Sequence, residues 1–358
     1  MRILNKAGLR PDVLKIVQER QELQTESIAE YIVHRENQEF DFRVLWRKVM
    51  AGNTRFFESK GRDGQLGSIV SREEMLWLAR LHRFTSRYVA EAMQQKLPLP
   101  KNTVIEPVVA DSVTAEWQSF PSAARGAVLL YFHGGGWILD SPYTHRSLTT
   151  AIGRTAGTRV LSVDYRLAPE HRHPAHLEDC VACYKWLLSN KVAPGNIVVA
   201  GDSAGGNLTL ATLLYLRDNR IPLPAGAVLI SPSTDLTHSD ETYFANGATD
   251  PILADSGVFW WKTAYAGGMD LTNPLISPLH GDMAGLPPLL FQVSTSEMLY
   301  GETRQCAEKA GNTGVDVTLE TWDDMPHVFQ QFGLHRLKEA DKALAGIGAF
   351  IQRVAQIR

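Results

Sequence analysis

A chain of 358 residues with 36 Lys and Arg against 39 Asp and Glu carries a net charge of −3, which leaves no electrostatic footprint for nucleic acid or anionic lipid. Its 44% hydrophobic and 21% charged content excludes wholesale disorder and a collagen-like repeat, and at about 150 residues per domain it allows one large core with an appendage. The longest apolar runs, such as residues 127–132, fall far short of the roughly 18 to 20 residues a membrane span needs.

In chain order, polar residues interrupt positions 1–11 before a signal-peptide apolar region of about 7 to 15 residues can form, so a cytoplasmic protein is expected. Residues 11–35 carry Val13, Leu14, Val17, Ile28, Ile32 and Val33 among many charges and predict an amphipathic helix, with a second over 42–57. Lys60-Gly-Arg-Asp-Gly-Gln-Leu-Gly67 reads as a linker. Ser71-Arg-Glu-Glu74 is a capping box that opens a third helix through Met75, Leu78, Leu81, Tyr88 and Val89. That helix stops at Leu97-Pro-Leu-Pro100, because proline removes a donor and restricts the residue before it. Beyond residue 100, strand-like runs at 104–110, 127–132, 159–165, 197–200, 227–231, 289–294 and 315–322 alternate with helical stretches. The alternation predicts an α/β fold with a mostly parallel central sheet flanked by helices. The central runs are continuously apolar, as strands buried on both faces should be. The expected division is a helical region over 1–100 and an α/β domain over 101–358.

Gly201-Asp-Ser203-Ala-Gly205 fits G-x-S-x-G directly after one of these strands and before a helix expected over 208–218. That is the context of a nucleophile elbow, a sharp strand-to-helix turn that exposes a serine Oγ above the sheet. Glycines permit the turn, and the helix N-terminus behind it favours negative charge. Tyr131-Phe-His133-Gly-Gly-Gly-Trp137 is a second Gly-rich turn after a strand, where missing side chains let backbone N–H groups face a reacting oxygen. There is no G-x-x-x-x-G-K-[ST] and no G-x-G-x-x-G in a strand-turn-helix, so nucleotide binding is set aside. A serine nucleophile needs a histidine base, and the chain order Ser…Asp/Glu…His requires the acid between Ser203 and that histidine.

Five motifs in one order resemble the hormone-sensitive-lipase-like, or GDXG, family of α/β-hydrolase esterases, from about residue 125 to the C-terminus. They are His133-Gly-Gly-Gly-Trp137, Asp164-Tyr-Arg-Leu-Ala-Pro-Glu170, Gly201-Asp-Ser-Ala-Gly-Gly206, Ser277-Pro-Leu279 with Leu286-Pro-Pro288, and Met325-Pro-His327. The resemblance implies an α/β-hydrolase fold under an N-terminal helical cap. It also implies hydrolysis of short-to-medium acyl esters through an acyl-enzyme, with no metal or organic cofactor. Carried onto this chain, it implies Ser203 as nucleophile, His327 as base, and Glu297 as acid where the family more usually has Asp-Pro-Leu. Asp323 and Asp324 are rival acids, but both share a loop with His327. The oxyanion hole is expected among the amides of Gly134, Gly135, Gly136 and Ala204, with Gly135 and Gly136 preferred within the turn. Substrate contacts are expected from Trp77, Phe84, Trp137 and Phe329. For the N-terminal aromatics, which include Trp46, Phe56, Phe57 and Tyr88, an acyl pocket and simple packing both remain open.

Other features read as structural. His171, His173 and His176 cluster around Pro174 without a Cys or a ligand-helix pattern and read as loop residues rather than a metal site. Cys180-Val-Ala-Cys183 falls inside an expected helix over 175–188 and reads as core rather than a redox pair. Three cysteines, an odd number in a long chain, suit a reducing compartment. Asp202 and Asn207 read as supports of the elbow. The expected partner is a small-molecule ester, and the resemblance makes a homodimer plausible. An amidase or peptidase with the same triad is a rival reading. A second is a non-catalytic receptor on the same fold, as in plant relatives that lack the catalytic histidine; His327 argues against it. Residues 1–60 have an alternative reading as an interaction module.

Overall fold

The computed structural model describes residues 9–34, 39–121, 123–254 and 256–356. Three helices come first: α1 (Pro11–Val33), α2 (Phe42–Glu58) and α3 (Arg72–Lys96). Asp41 caps α2 by accepting from the Arg43 and Val44 amides, and the Ser71/Glu74 capping box opens α3. Residue 35, the expected end of the first helix, lies outside the described residues.

The α/β part supplies β1 (Val104–Ala110), β2 (Val113–Ser119), β3 (Ala124–Phe132), α4 (Pro142–Ala156), β4 (Thr158–Val163), α5 (Ala175–Ser189), β5 (Ile197–Asp202) and α6 (Ala204–Asp218). It continues with β6 (Gly226–Ile230), α7 (Glu241–Ala245), α8 (Val258–Ala266), β7 (Leu289–Ser294), α9 (Tyr300–Asn312), β8 (Val317–Trp322), α10 (Phe329–Phe332) and α11 (Lys338–Val354). The strands form one sheet in the order β1-β2-β4-β3-β5-β6-β7-β8. Pairings from β4 to β8 are parallel, and only β1–β2 and β2–β4 are antiparallel. Alternation along β3 shows both faces covered: Val128, Leu130 and Phe132 join the core beneath α5 and α6, while Leu129 and Tyr131 join the one beneath α4 and α11. Cys180 and Cys183 sit in the first of these cores.

Two elements depart from the expectation. Strand β2 has no apolar run because two of its buried residues are polar. Glu116 receives the Arg146 guanidinium at 2.6 Å, and Gln118 accepts from Thr149 Oγ1 at 2.8 Å. Helix α6 begins at Ala204 rather than 208, since packing against neighbouring backbone overrides the weak helix propensity of Gly205 and Gly206.

The N-terminal helices have no closed core of their own. Tyr31, Leu45, Val49, Phe56, Trp77 and Leu78 share one apolar cluster with Tyr243, Leu253, Phe259 and Trp260, from the segment between β6 and β7. The layer over the sheet is therefore built from two distant parts of the chain.

Candidate active site

Strand β5 ends at Asp202, and Ser203 turns the chain into α6 with φ 53° and ψ −117°, outside the regions comfortable for an L residue. The Ser203 amide donates to Ile230 O at 2.8 Å, which ties the turn to the end of β6. Gly205 makes the turn possible: a Cβ there would lie 1.9 Å from the Phe132 carbonyl oxygen. Any larger residue would push α6 off β3.

His327 lies in the loop between β8 and α10, and Glu297 follows β7. Ser203 Oγ is 2.9 Å from His327 Nε2, and His327 Nδ1 is 2.6 Å from Glu297 Oε2. Glu297 is fully buried. Its Oε1 accepts from Ser231 Oγ at 2.8 Å and from the Ser294 amide at 2.8 Å, so its carboxylate is held by three donors. These partners set the histidine tautomer, with Nδ1–H donating to Glu297 and Nε2 free to accept from Ser203. Burial disfavours the imidazolium, but the charge and hydrogen bond of Glu297 outweigh it and raise His327 above its ordinary 6.5. Burial in turn pushes the Glu297 carboxyl up, against the pull of His327. The rival acids point elsewhere: Asp323 accepts from Thr295 Oγ1 at 2.9 Å, and no hydrogen bond joins either Asp323 or Asp324 to His327.

The second Gly-rich turn faces this relay. Four amides were expected to be open to a reacting oxygen, and the structure corrects one. Gly134 N–H donates to Asp202 Oδ1 at 3.1 Å and is already occupied. Among the described residues the amides of Gly135, Gly136 and Ala204 have no acceptor, and Ala204 stands in the unpaired first turn of α6. Gly136 has φ +59°, and a Cβ on it would sit 2.2 Å from the Trp261 ring. The turn is pinned from several sides. Asp202 also accepts from Tyr131 OH at 2.7 Å and lies 3.3 Å from His145 Nε2, while Tyr165 OH donates to His133 O at 2.6 Å. Arg83, on α3, donates to Ile138 O and Ala168 O and pairs with Glu170, which fastens the helical layer to the 164–170 motif and to the residue just after Trp137. Asn207 donates to Ser233 O and Ile276 O. Burial pushes His133 down to about 4, so it is neutral at physiological pH.

Tyr131, His145, Ser231 and Arg83 were not singled out in the sequence. Each acts through a partner more than 50 residues away, and no local pattern marks them. The three clustered histidines stand apart from the relay: His173 contacts Tyr265 OH at 3.2 Å, and His176 Nε2 donates to Trp137 O at 3.2 Å.

One cavity opens at Ser203 and a second adjoins it. A small one of about 40 Å³ is lined by Ser203, Gly136, Trp137, Ala204, Leu236 and His238. A large one of about 470 Å³ lies among α1, α2, α3 and the segments beyond Gly136 and His327, and the two share Leu253 and Trp261. Three expected substrate contacts miss both. Trp77 is 1% exposed and packs edge-on against Tyr31, Phe84 packs on Tyr31 and Tyr88, and Phe329 is buried against Trp322. Trp137 reaches the small cavity with its indole stacked on Tyr265. Of the N-terminal aromatics, Trp46 lines the large cavity, whereas Phe56 and Phe57 belong to the apolar cluster shared with Tyr243 and Phe259.

A parallel sheet whose strand-to-helix elbow offers a serine to a histidine–carboxylate pair defines the α/β-hydrolase class of serine hydrolases. Residues 129–331 match a family model described as the alpha/beta hydrolase fold. The chain is 39% identical over 284 residues to an acetyl-hydrolase of Streptomyces hygroscopicus, covering 78% of this chain and 93% of that protein. It is 32% identical over 268 residues to an esterase of Acinetobacter venetianus, covering 74% and 87% of the two chains. A crystal structure of an esterase from the bacterial hormone-sensitive lipase family superposes with a TM-score of 0.74 at 37% identity, over 86% of this chain and 98% of that one. The chain therefore belongs to the hormone-sensitive-lipase family of α/β hydrolases, and it is a serine-type carboxylic ester hydrolase. Among the described residues, no helix is long and apolar enough to cross a membrane.

Proposed function

We propose that Ser203, His327 and Glu297 are the catalytic triad of a carboxylesterase for short-to-medium acyl chains. The observation that carries this reading is the unbroken relay from Ser203 through His327 to Glu297, at 2.9 and 2.6 Å. Ser203 Oγ attacks the ester carbonyl carbon while His327 Nε2 takes its proton. Glu297 keeps the Nδ1–H tautomer and stabilises the imidazolium. The negative charge that develops on the carbonyl oxygen is met by the Ala204 amide and the Gly135 and Gly136 amides. Collapse breaks the bond to the alcohol oxygen, which receives the proton from His327. Water then repeats the sequence on the acyl-enzyme, releasing the acid and restoring Ser203.

The two cavities suggest how the halves of the ester divide. His327 must reach the leaving oxygen, and Gln331, Phe332 and Leu334, just beyond it, wall the large cavity, which suits the alcohol. The small cavity contains Ser203 itself and suits the acyl group. At roughly 10–15 Å³ per water-sized probe, its size matches an acyl group of only a few carbons. Residues 1–100 then act as the cap, since α1, α2 and α3 wall the large cavity. A cytoplasmic setting accords with three unpaired, buried cysteines.

Hydrolysis of p-nitrophenyl esters from acetate to palmitate, beside Ser203→Ala, tests the reading. Rapid turnover of the short chains is expected, falling by about 10⁴-fold or more in the variant. Activity that survives Ser203→Ala, or a folded wild type inert to every ester, would overturn it.

A further inference from the structure

The large cavity holds a charge that ester hydrolysis does not use. Arg20, on α1, lines it, with Cζ 4.9 Å above the centre of the Phe332 ring. Its Nε is buried with no hydrogen-bond partner, and among the described residues no carboxylate pairs with its guanidinium. Neighbouring Glu19 turns away to Lys96 and Arg336. Asp140 lines the same cavity and attracts Arg20 at longer range, but its carboxylate accepts from Ser86. His82, also in the lining, is pushed down to about 4 by burial and adds no positive charge at neutral pH.

Arg20 is half-buried, its Nε out of water without an acceptor and the rest of its guanidinium turned to the cavity; a cation left so is costly, and its planar fork matches a carboxylate in bidentate geometry. Ion pairing within the fold would have been the ordinary solution. Here the cation faces the space that, on the triad reading above, takes the leaving alcohol. The walls of this cavity are largely apolar, with Trp46, Leu81 and Met93 among them. We propose that the large cavity binds an alcohol with an apolar body and a terminal carboxylate, and that Arg20 recognises that carboxylate. The substrate class is then short-chain esters of hydroxy acids, with α1 contributing specificity as well as cover.

The test compares acetates of ω-hydroxy acids of four to ten carbons with alkyl acetates of the same lengths, on wild type, Arg20→Gln and Arg20→Lys. For wild type, kcat/KM for the acid series should exceed that for the alkyl series at one or two lengths. The ratio should fall at least tenfold in Arg20→Gln, chiefly through KM, and recover in part in Arg20→Lys. Because each variant is compared with itself on two substrates, general damage to the fold cancels. A ratio unmoved by Arg20→Gln at every length would overturn the assignment while leaving the esterase reading intact. So would an Arg20 dependence that appears instead with monoethyl esters of dicarboxylic acids, where the charge is on the acyl side. Failure of both acetate series on folded wild type that hydrolyses p-nitrophenyl acetate would overturn this inference alone; failure on the p-nitrophenyl esters as well would bring down the triad reading, and this inference with it.

Discussion

On the proposed triad, removing the Asp202 carboxylate separates the positioning of the Gly-rich turn from the chemistry at Ser203. Asp202 accepts from Tyr131 OH and Gly134 N–H through Oδ1 and faces His145 Nε2 through Oδ2, all out of water. Asp202→Ala strands these three polar groups. At about 1–3 kcal/mol for each buried group left unsatisfied, the loss is about 3–9 kcal/mol, a large share of the roughly 5–15 kcal/mol available to a domain. The freed Gly134 also lets the Gly135 and Gly136 amides drift. If the drift forfeits one oxyanion donor, kcat falls by about 10²–10³-fold with KM little changed. Asp202→Asn keeps the volume and one acceptor and should lose only the charged share, about 1.5–3 kcal/mol. Urea unfolding and p-nitrophenyl acetate kinetics read both quantities. Burial works to raise the Asp202 pKa, but His145 and the hydrogen bonds outweigh it and hold the group below 3.8. Its stabilisation is therefore full above 3.8 and is lost as pH falls through the lower folded value, so the gap between wild type and Asp202→Asn should close in acid. An Asp202→Ala protein within about 1 kcal/mol and threefold in kcat of wild type would refute the reasoning.

Further outcomes follow from the same geometry. Glu297 raises His327 above 6.5, and on the proposed triad the neutral imidazole is the base, so the acid limb of kcat/KM should lie above 6.5. Glu297→Gln removes the charge and leaves the burial, so kcat should fall by about 10⁴-fold and the limb move to lower pH; a limb that stays in place or rises contradicts the electrostatic account. Ser231→Ala deletes the 2.8 Å hydrogen bond to Glu297 Oε1 and should lower kcat by roughly tenfold, with the melting temperature as the control for general damage. Gly205→Ala places a Cβ 1.9 Å from the Phe132 carbonyl, a clash only backbone movement can relieve, so soluble yield and melting temperature should both drop. A wild-type melting curve for that variant would mean the approach of α6 to β3 is looser than described.

The amino-acid sequence by itself determined the features whose cause is local. The Gly-rich turns, the Ser71 capping box and the apolar runs of β3, β5, β6 and β7 follow from steric freedom, hydrogen bonding and side-chain period within a few residues. Hence the parallel sheet and the elbow serine Ser203 were legible before any contact was known, while His327 and Glu297 were candidates through the family resemblance of the ordered motifs. Only the tertiary structure decided what depends on which distant groups meet. Strand β2 hid because its face toward α4 is polar, with Glu116 and Gln118 matched by Arg146 and Thr149, although Val113 and Ala115 on the other face join the core. Gly134 looked like its two neighbours until Asp202, 68 residues on, occupied its amide. Trp46 and Trp77 are equally apolar, yet packing turned Trp46 to the cavity and buried Trp77 against Tyr31. Arg20 sits among charged residues on a helix read as amphipathic, and only the approach of Phe332 and α3 placed it in the cavity without a carboxylate partner. Backbone conformation is set by near neighbours, whereas the solvation and pairing of a side chain are properties of the assembled core, so the turns could be read in advance and the pocket could not.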